Sequence, residues 1–340
     1  MSSMNYQPRN VLVTGGAGFI GSNFIRCLLA SDSSVQIVNL DLLTYAGTRD
    51  NLKKLPDEKR HIFIRGDIAD SKLVEKLLRE YQIDTIVHFA AESHVDRSIQ
   101  SPLPFIHTNV VGTFTLLEAA RQFWQQQQKW DEMHCRFHHI STDEVYGSLT
   151  SDAAPFTETS PYAPNSPYSA SKASSDHLVR AYFHTYHLPV TLSHCSNNYG
   201  PYQHREKLIP MIIHACVSGH EIPIYGNGGN IRDWIYVDDH CRGVLEALKN
   251  GQLGETYHFG GQFEITNLQI AKHICQLMDE IYPKSQSHAE LINFVTDRPG
   301  HDWRYAMNIT KAKQKLGWVP MEVFEGGIKK TIEFYQSTRM

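Results

Sequence analysis

Val11-Leu12-Val13-Thr14-Gly15-Gly16-Ala17-Gly18-Phe19-Ile20-Gly21 is the stretch that decides the fold of this chain. A short apolar run passes into a glycine cluster that satisfies both G-x-G-x-x-G and G-x-x-G-x-x-G, and helical spacing follows from Phe19 to Leu29. Strand, glycine turn and helix in that order form the phosphate end of a dinucleotide site. Gly15, Gly18 and Gly21 permit a tight turn, close approach of backbone to a pyrophosphate, and packing of helix on strand. The unpaired N–H groups at the start of the helix favour the anion. Alone, the motif also fits an ordinary glycine-rich turn, so the residues further out carry weight.

Asp41 ends the next strand pattern, 20 residues after Gly21. A carboxylate there hydrogen-bonds ribose hydroxyls and repels a 2′-phosphate, which favours NAD over NADP. Asp67, after a third strand, is placed equally well at an adenine edge or as a loop cap. Apolar runs at Val35–Val38, His61–Ile64, Thr85–Phe89, Phe137–Ile140 and Val190–Ser193 alternate with helical spacing at Leu73–Tyr81, Val110–Phe123 and Ser169–Tyr186. The rhythm predicts an α/β fold, a doubly wound Rossmann-type parallel sheet. From Asn197 the chain turns to Gly/Pro/Asn-rich loops with helices near Asp239–Leu248 and Asn267–Ile281. We therefore expect residues 1–196 to form the dinucleotide-binding domain with the catalytic residues. Residues 197–340 are expected to be mainly a smaller, mixed α/β substrate lobe, with a possible return to the sheet near Tyr257-His258-Phe259.

With 340 residues, 32 basic against 36 acidic side chains and a net charge of −4, nothing in the electrostatics calls for nucleic acid or an anionic membrane. A small-molecule partner is expected. No apolar run is long enough to cross a bilayer, and the polar start from Met1 to Asn10 lacks a signal-peptide core. The six cysteines form no C-x-x-C pair and the 19 histidines no H-E-x-x-H pattern, so we expect a reducing cytoplasm and no metal site. Gln125–Gln128 reads as a solvated helix end or loop.

Tyr168 and Lys172 stand four residues apart, on one face of a helix. A nearby ammonium favours phenolate, so the pair can take the proton of an alcohol whose carbon loses hydride. Thr142-Asp143-Glu144 follows the fifth strand, at the edge where active sites of open parallel sheets collect. Two adjacent carboxyls in different environments can divide acid and base work. Without the glycine motif, a solvated loop pair would be the better reading.

Taken in order, Gly15 to Ser22, Leu43-Thr44-Tyr45-Ala46-Gly47, Ala90-Ala91-Glu92-Ser93-His94-Val95-Asp96-Arg97-Ser98, Thr142 to Gly147, Tyr168 to Lys172, Asn197-Asn198-Tyr199-Gly200-Pro201, Arg232-Asp233-Trp234 and Asp297-Arg298-Pro299-Gly300-His301 span nearly the whole chain. The sequence resembles the extended short-chain dehydrogenase/reductase enzymes acting on nucleotide sugars, in their 4,6-dehydratase branch. Sugar 4-epimerases on the same scaffold carry the Tyr and Lys but not the Asp-Glu pair.

The resemblance implies dTDP-glucose as substrate and NAD as a cofactor restored in each cycle. Tyr168, with Lys172 and Thr142, would serve C4 oxidation, Glu144 would take the C5 proton, and Asp143 would protonate the departing C6 hydroxyl. Beside the three glycines it assigns to the cofactor Phe19, Ile20, Asp41, Leu42, Leu43, Thr44, Asp67, Ile68, Phe89, Ala90, Ala91, Ser93, Thr108, Asn198, Tyr168 and Lys172. Sugar and diphosphate would meet Ser93, Thr142, Asn197, Lys207, Leu208, Arg232 and Arg298. Pro223, Tyr225 and Asn267 would line the nucleotide pocket, with Asp297 and His301 beside Arg298. The three cations suit a diphosphate, although Arg232 alone could simply pair with Asp233 and Lys207 could be solvated. Leu42 departs from the polar residue common after the ribose aspartate, and Tyr202-Gln203-His204-Arg205 varies a loop near the substrate. Competing readings are a UDP- or CDP-hexose dehydratase, a nucleotide-sugar 4-epimerase and a non-catalytic NAD sensor. A homodimer is also implied, through helices near Thr108–Phe123 and Ser169–Tyr186.

Overall fold

The computed structural model describes residues 6–126 and 134–337. Met1 to Asn5 of the polar start, and Gln127 and Gln128 of the glutamine tract, lie outside the described residues, while Gln125 and Gln126 end the helix Thr113–Gln126. In chain order the strands are β1 (Asn10–Thr14), β2 (Gln36–Asp41), β3 (His61–Arg65), β4 (Thr85–His88), β5 (Arg136–Thr142), β6 (Val190–Cys195), β7 (Asn197–Tyr199), β8 (Ile222–Tyr225), β9 (Ile231–Tyr236), β10 (Thr256–Phe259), β11 (Glu264–Thr266) and β12 (Ile292–Val295).

Seven of them make one sheet in the order β10-β6-β5-β4-β1-β2-β3, every neighbouring pair parallel. This is the doubly wound arrangement expected from the β-α rhythm. The order reverses at β1, which lies between β2 and β4, so the loops after β1 and β4 part there and leave a crevice at the carboxyl edge.

Alternation along each strand feeds two apolar layers. Val11, Val13 and Ile37 pack on one face with helices Phe19–Ser31 and Val237–Asn250. Leu12, Val38, Leu40 and Phe137 pack on the other with helices Ser71–Glu80, Thr113–Gln126 and Pro167–Tyr186. Each fully buried side chain of this kind contributes about 2 kcal/mol relative to exposure.

Of the helical spacing expected over Val110–Phe123, the part from Thr113 on is the α-helix Thr113–Gln126, and Val110–Gly112 belongs to a π-helical stretch, Ile106–Gly112, that runs directly into it. Periodicity of the apolar positions does not reveal the extra residue of such a turn. After β6 the chain mostly builds a second core, from helices Leu208–Ser218, Asn267–Ile281 and Phe324–Ser337, around Ile212, Ile274 and Ile328. There β9 lies between β7 and β11, and β8 pairs with β12. Between these elements, helix Val237–Asn250 and β10 return to the main sheet, with Phe259 opposite Cys195. Among the described residues no helix is long and apolar enough to cross a membrane.

Candidate active site

The glycine turn is built for close approach. Gly15 has φ +71°, and a Cβ there would stand 2.6 Å from the Ala90 backbone N. A Cβ on Gly21 would meet the Gly15 carbonyl oxygen at 2.3 Å. Gly18 caps the helix Phe19–Ser31 without a side-chain hydrogen bond, and no acid stands in the first turn, so the N-terminal amides face the crevice uncompensated. Asp41 accepts from the Ala17 N–H at 2.9 Å and the Leu43 N–H at 2.8 Å. It thus pins the turn, and a carboxylate retains further lone pairs for ribose hydroxyls. These features fit a dinucleotide: an anion-seeking helix end, a cradle that any Cβ would fill, and a carboxylate at the ribose distance in sequence.

Asn109, in the π turn, holds the opposite wall. Its side chain accepts from Glu92 N, donates to Glu92 O and donates to Ser171 Oγ, at 2.9, 3.0 and 2.8 Å. The loop after β4 is thereby tied to the helix that carries Tyr168 and Lys172. That helix starts in a capping box formed by Ser166 and Ser169 with Pro167 in its first turn, which fixes Tyr168 at the mouth of the crevice.

Lys172 is buried and donates to Ile140 O at 2.7 Å. Burial pushes its ammonium down to about 8, with Asp176 opposing the shift. Burial followed by the Glu144 charge pushes the Tyr168 phenol well above its ordinary value, against a smaller lowering by the neighbouring Thr142 hydroxyl.

Thr142 ends β5 and caps the short helix Asp143–Tyr146, accepting from Glu144 N at 3.3 Å and donating to Asp143 Oδ1 at 3.3 Å. The two acids differ in surroundings. Asp143 is 2% exposed, and its Oδ2 has no hydrogen-bond partner among the described residues. Burial, with Glu144 and Asp233 nearby, raises its carboxyl well above the usual range against a smaller pull from Arg232. Glu144 is half-buried, and the rise that burial causes there is opposed by three cations, Arg298, Arg232 and Lys207. Both carboxyls are thus raised, Asp143 well above the usual range and Glu144 with its rise restrained by the cations, so the two are unequal acids.

The three cations come from beyond β6. Arg232 does not pair with Asp233: its guanidinium donates to the carbonyls of Ile231, Trp303 and Asp302 and lies 4.3 Å from the Tyr305 ring centroid, while Asp233 accepts from Phe263 N. Lys207 donates to Ser93 O at 3.2 Å. Arg298 reaches Asp96 at 3.3 Å, and the Tyr225 hydroxyl donates to the other oxygen of the same carboxylate at 3.1 Å. Asp297 and His301 pair at 2.6 Å beside it.

A cavity of about 320 Å³ runs from Gly15 and Asp41 past Ala90, Ser93 and Thr108 to Glu144, Tyr168 and Lys207. It also gathers Gly18, Phe19, Ile20, Gly21, Leu42, Thr44, Asp67, Ile68, Phe89, Ala91, Thr142, Asp143, Lys172, Asn197 and Asn198. Leu43 does not line it: at φ +58° its N–H serves Asp41. Nor do Leu208, packed against the second core, or Pro223, Tyr225, Asn267, Arg232, Asp297, Arg298 and His301. Of these, Arg232 and Arg298 still face Glu144 electrostatically.

The family model described as GDP-mannose 4,6 dehydratase matches residues 12–331. The chain belongs to that family. Within the GDP-mannose 4,6-dehydratase family it is 51% identical over 335 residues to dTDP-glucose 4,6-dehydratase 1 of Escherichia coli (strain K12), with 96% of this chain and 92% of the relative covered. It is similar to the solved structure of DesIV, a dTDP-glucose 4,6-dehydratase from Streptomyces venezuelae with NAD and TYD bound. The TM-score there is 0.88 at 45% identity, over 97% of this chain and 98% of the other. A UDP-glucose 4-epimerase from Thermotoga maritima shares the fold at TM-score 0.83 but only 28% identity, over 97% of this chain and 100% of the other.

For this member of the GDP-mannose 4,6-dehydratase family, sequence reasoning gave no site role to Glu92, in a quoted motif, or to Gln203 and His204, in the loop it placed near the substrate, all of which line the cavity, nor to Asn109 and Asp96, which organise it. Asp96 lies inside a quoted motif. Its bridge to Arg298 links residues 202 positions apart, which no local pattern signals.

Proposed function

We propose that the chain converts dTDP-glucose to dTDP-4-keto-6-deoxy-glucose and water as an NAD-dependent 4,6-dehydratase. The observation that carries the reading is the unequal pair at the end of β5: Asp143 buried and held toward its acid form, Glu144 held among three cations, both beside Tyr168. Oxidation alone needs neither carboxyl. Removing water across C5 and C6 needs an acid and a base at the same moment.

Gly15, Gly18, Gly21, Asp41 and the first amides of helix Phe19–Ser31 would hold NAD, which when bound supplies the acceptor for the C4 hydride and its donor to C6. Tyr168 takes the proton of the C4 hydroxyl, with Thr142 beside it in the same cavity and Lys172 fixed against Ile140 O. The C4 ketone acidifies C5–H. Glu144 Oε takes that proton while Asp143 gives its own to the leaving C6 hydroxyl, and Glu144 later returns its proton to C5. Lys207, Arg232 and Arg298 orient the diphosphate end through charge-assisted hydrogen bonds.

The enzyme we propose is cytoplasmic, where nucleotide sugars and NAD are at hand, and a homodimer. Leu103, Ile106, Val111 and Phe114 are exposed on the segment around the π turn, and a second copy of the same surface would cover them.

The test is dTDP-glucose deuterated at C4, run beside its UDP and CDP analogues and followed by NMR and mass spectrometry. Deuterium in a new C6 methyl group is expected, fastest with dTDP. Deuterium retained at C4 with inversion would make the protein an epimerase and remove the roles of Asp143 and Glu144.

A further inference from the structure

Tyr168, Lys172 and Asp176 recur every fourth residue of helix Pro167–Tyr186, so all three side chains lie on one face, a turn apart. The first two belong to the oxidation step. Asp176 does not line the cavity, yet it is 0% exposed, and an aspartate is almost never fully buried without partners.

One of its oxygens is well held. Asp176 Oδ2 accepts from Ser141 Oγ at 2.9 Å and from the Tyr162 hydroxyl at 3.1 Å, and hydrogen-bonds His194 Nε2 at 3.0 Å. Behind His194, the Tyr146 hydroxyl bridges His194 Nδ1 and His258 Nε2, each at 2.8 Å. The set suits a carboxylate, because each of these groups can direct a proton toward it. Although burial pushes the Asp176 carboxyl up, His139 and His194 outweigh that and hold it below the usual range. The other oxygen, Oδ1, has no hydrogen-bond partner among the described residues and stands 3.2 Å from His139 Nε2. The same nitrogen is 3.5 Å from Lys172 Nζ. Among the described residues the ammonium is bonded to Ile140 O and His139, and no carboxylate touches it.

We propose that Asp176 is the counter-ion of Lys172, a positioning residue that acts across His139 to keep the ammonium charged while Tyr168 takes the C4 proton; the inference rests on the C4 oxidation of the reading above. A buried ammonium needs an anion near it to stay protonated. Direct contact would serve poorly, since it would draw Nζ down the helix and away from Tyr168. With an imidazole between them the attraction acts while Nζ stays on Ile140 O. His139 Nε2 can accept from the ammonium or donate to the carboxylate, and it links the pair in either role.

The other groups around Lys172 cannot take this part. Burial pushes His139 of β5 down to about 4 and His88 of β4 well below its ordinary value, and it pushes Cys195 of β6 up to about 12, so all three are neutral. Asp143 and Glu144, on the turn after β5, act on Tyr168. From the π-helical stretch His107 pairs with Asp67, and Glu118 of the next helix is held by Arg121 and Tyr182. Among the described residues Asp176 is left as the anion that opposes the effect of burial on Lys172.

Single-turnover mixing of the holoenzyme with dTDP-glucose, reading reduced nicotinamide across pH, tests this in wild type, Asp176→Asn and His194→Gln. Wild type should lose rate through about pH 8, the value to which Lys172 is pushed. Without the carboxylate the ammonium gives up its proton more readily, so the Asp176→Asn limb should fall at least about one unit lower. Between about pH 6 and pH 8 that variant should lose about tenfold in rate where wild type loses about twofold. His194→Gln loosens the same hydrogen-bond network but leaves the charge, so its limb should stay with that of wild type. A purely structural Asp176 would lower stability in both variants and move neither limb. An Asp176→Asn limb that coincides with wild type, or a His194→Gln limb displaced as far, overturns the proposal. Where Asp176→Asn does not fold, Lys172→Met is added to it: recovery of folded protein supports the pairing, because the uncompensated ammonium is gone, and no recovery overturns it. Failure of the wild type to form 6-deoxy product would instead sink the dehydratase reading and leave the limb test intact, since any C4 oxidation reports it.

Discussion

Replacing Asp143 by asparagine takes away one proton and little else. The side chains are nearly isosteric, the amide oxygen of the variant can still accept from Thr142, and its NH₂ group falls where Oδ2 has no partner. The fold should not suffer. The folded carboxyl binds its proton more tightly than the unfolded one, so ionisation weakens the fold as pH rises from the ordinary carboxylate value toward the raised one. Asp143→Asn removes that penalty, and the melting temperature at neutral pH should hold or rise. What disappears is the acid for the C6 hydroxyl. A positioned general acid contributes about 10²–10⁴ in rate, or about 3–5 kcal/mol of barrier, and here the whole loss falls on elimination. C4 oxidation does not draw on this proton. Single-turnover mixing of Asp143→Asn with dTDP-glucose should therefore show the absorbance of reduced nicotinamide rising at near the wild-type rate and persisting, while 6-deoxy product forms about a hundredfold or more slowly. Equal loss of oxidation and elimination, or a melting point several degrees lower, would refute the reasoning, because Asp143 would then be holding Tyr168 or the fold.

Gly15→Ala must adopt φ +71° with its Cβ against the Ala90 backbone, so we expect about 3 kcal/mol of lost stability, a melting point about 4 °C lower, and loss of NAD on gel filtration. C4 oxidation should decline as pH rises through about 8, where Lys172 loses its charge, and any rate left in Lys172→Arg should lack that limb. Because the folded lysine binds protons less tightly than its ordinary 10.5, stability rises with pH between about 8 and 10.5, so a melting curve in that range will show that the decline is not unfolding. Arg298→Ala removes a charge-assisted contact and should raise KM by about 10–100-fold with kcat less affected, in steady-state kinetics on dTDP-glucose.

Much of this fold was legible because its cause is local. The strand, glycine turn and helix of residues 10–31 follow from steric demands within one stretch, and the period-2 and period-3.6 patterns elsewhere follow from burial on one or two faces. The π turn was not legible, since one extra residue leaves the apolar stripe nearly intact. At the site, Thr142, Asp143 and Glu144 could be found from their place at a strand end, but their different surroundings could not. Those come from Arg232, Arg298 and Lys207, whose positions depend on chain returning from beyond β6. Asn109 shows the same limit: an asparagine within a helical pattern reads as a neutral position until the peptide it holds, that of Glu92, is known.

The place of β10 in the main sheet bears on how the chain assembles. β6 has no partner on its outer side until residue 256, and the layer over Val11, Val13 and Ile37 is finished only by helix Val237–Asn250 and Trp318. While the chain grows from its N-terminus, the first six strands therefore present an open edge until about 60 further residues are made, and an apolar face that is complete only with Trp318, more than a hundred residues on. Chaperone dependence, and sensitivity to stalled or truncated synthesis, are built into this topology. The glycine turn is made first and is among the last parts to become secure.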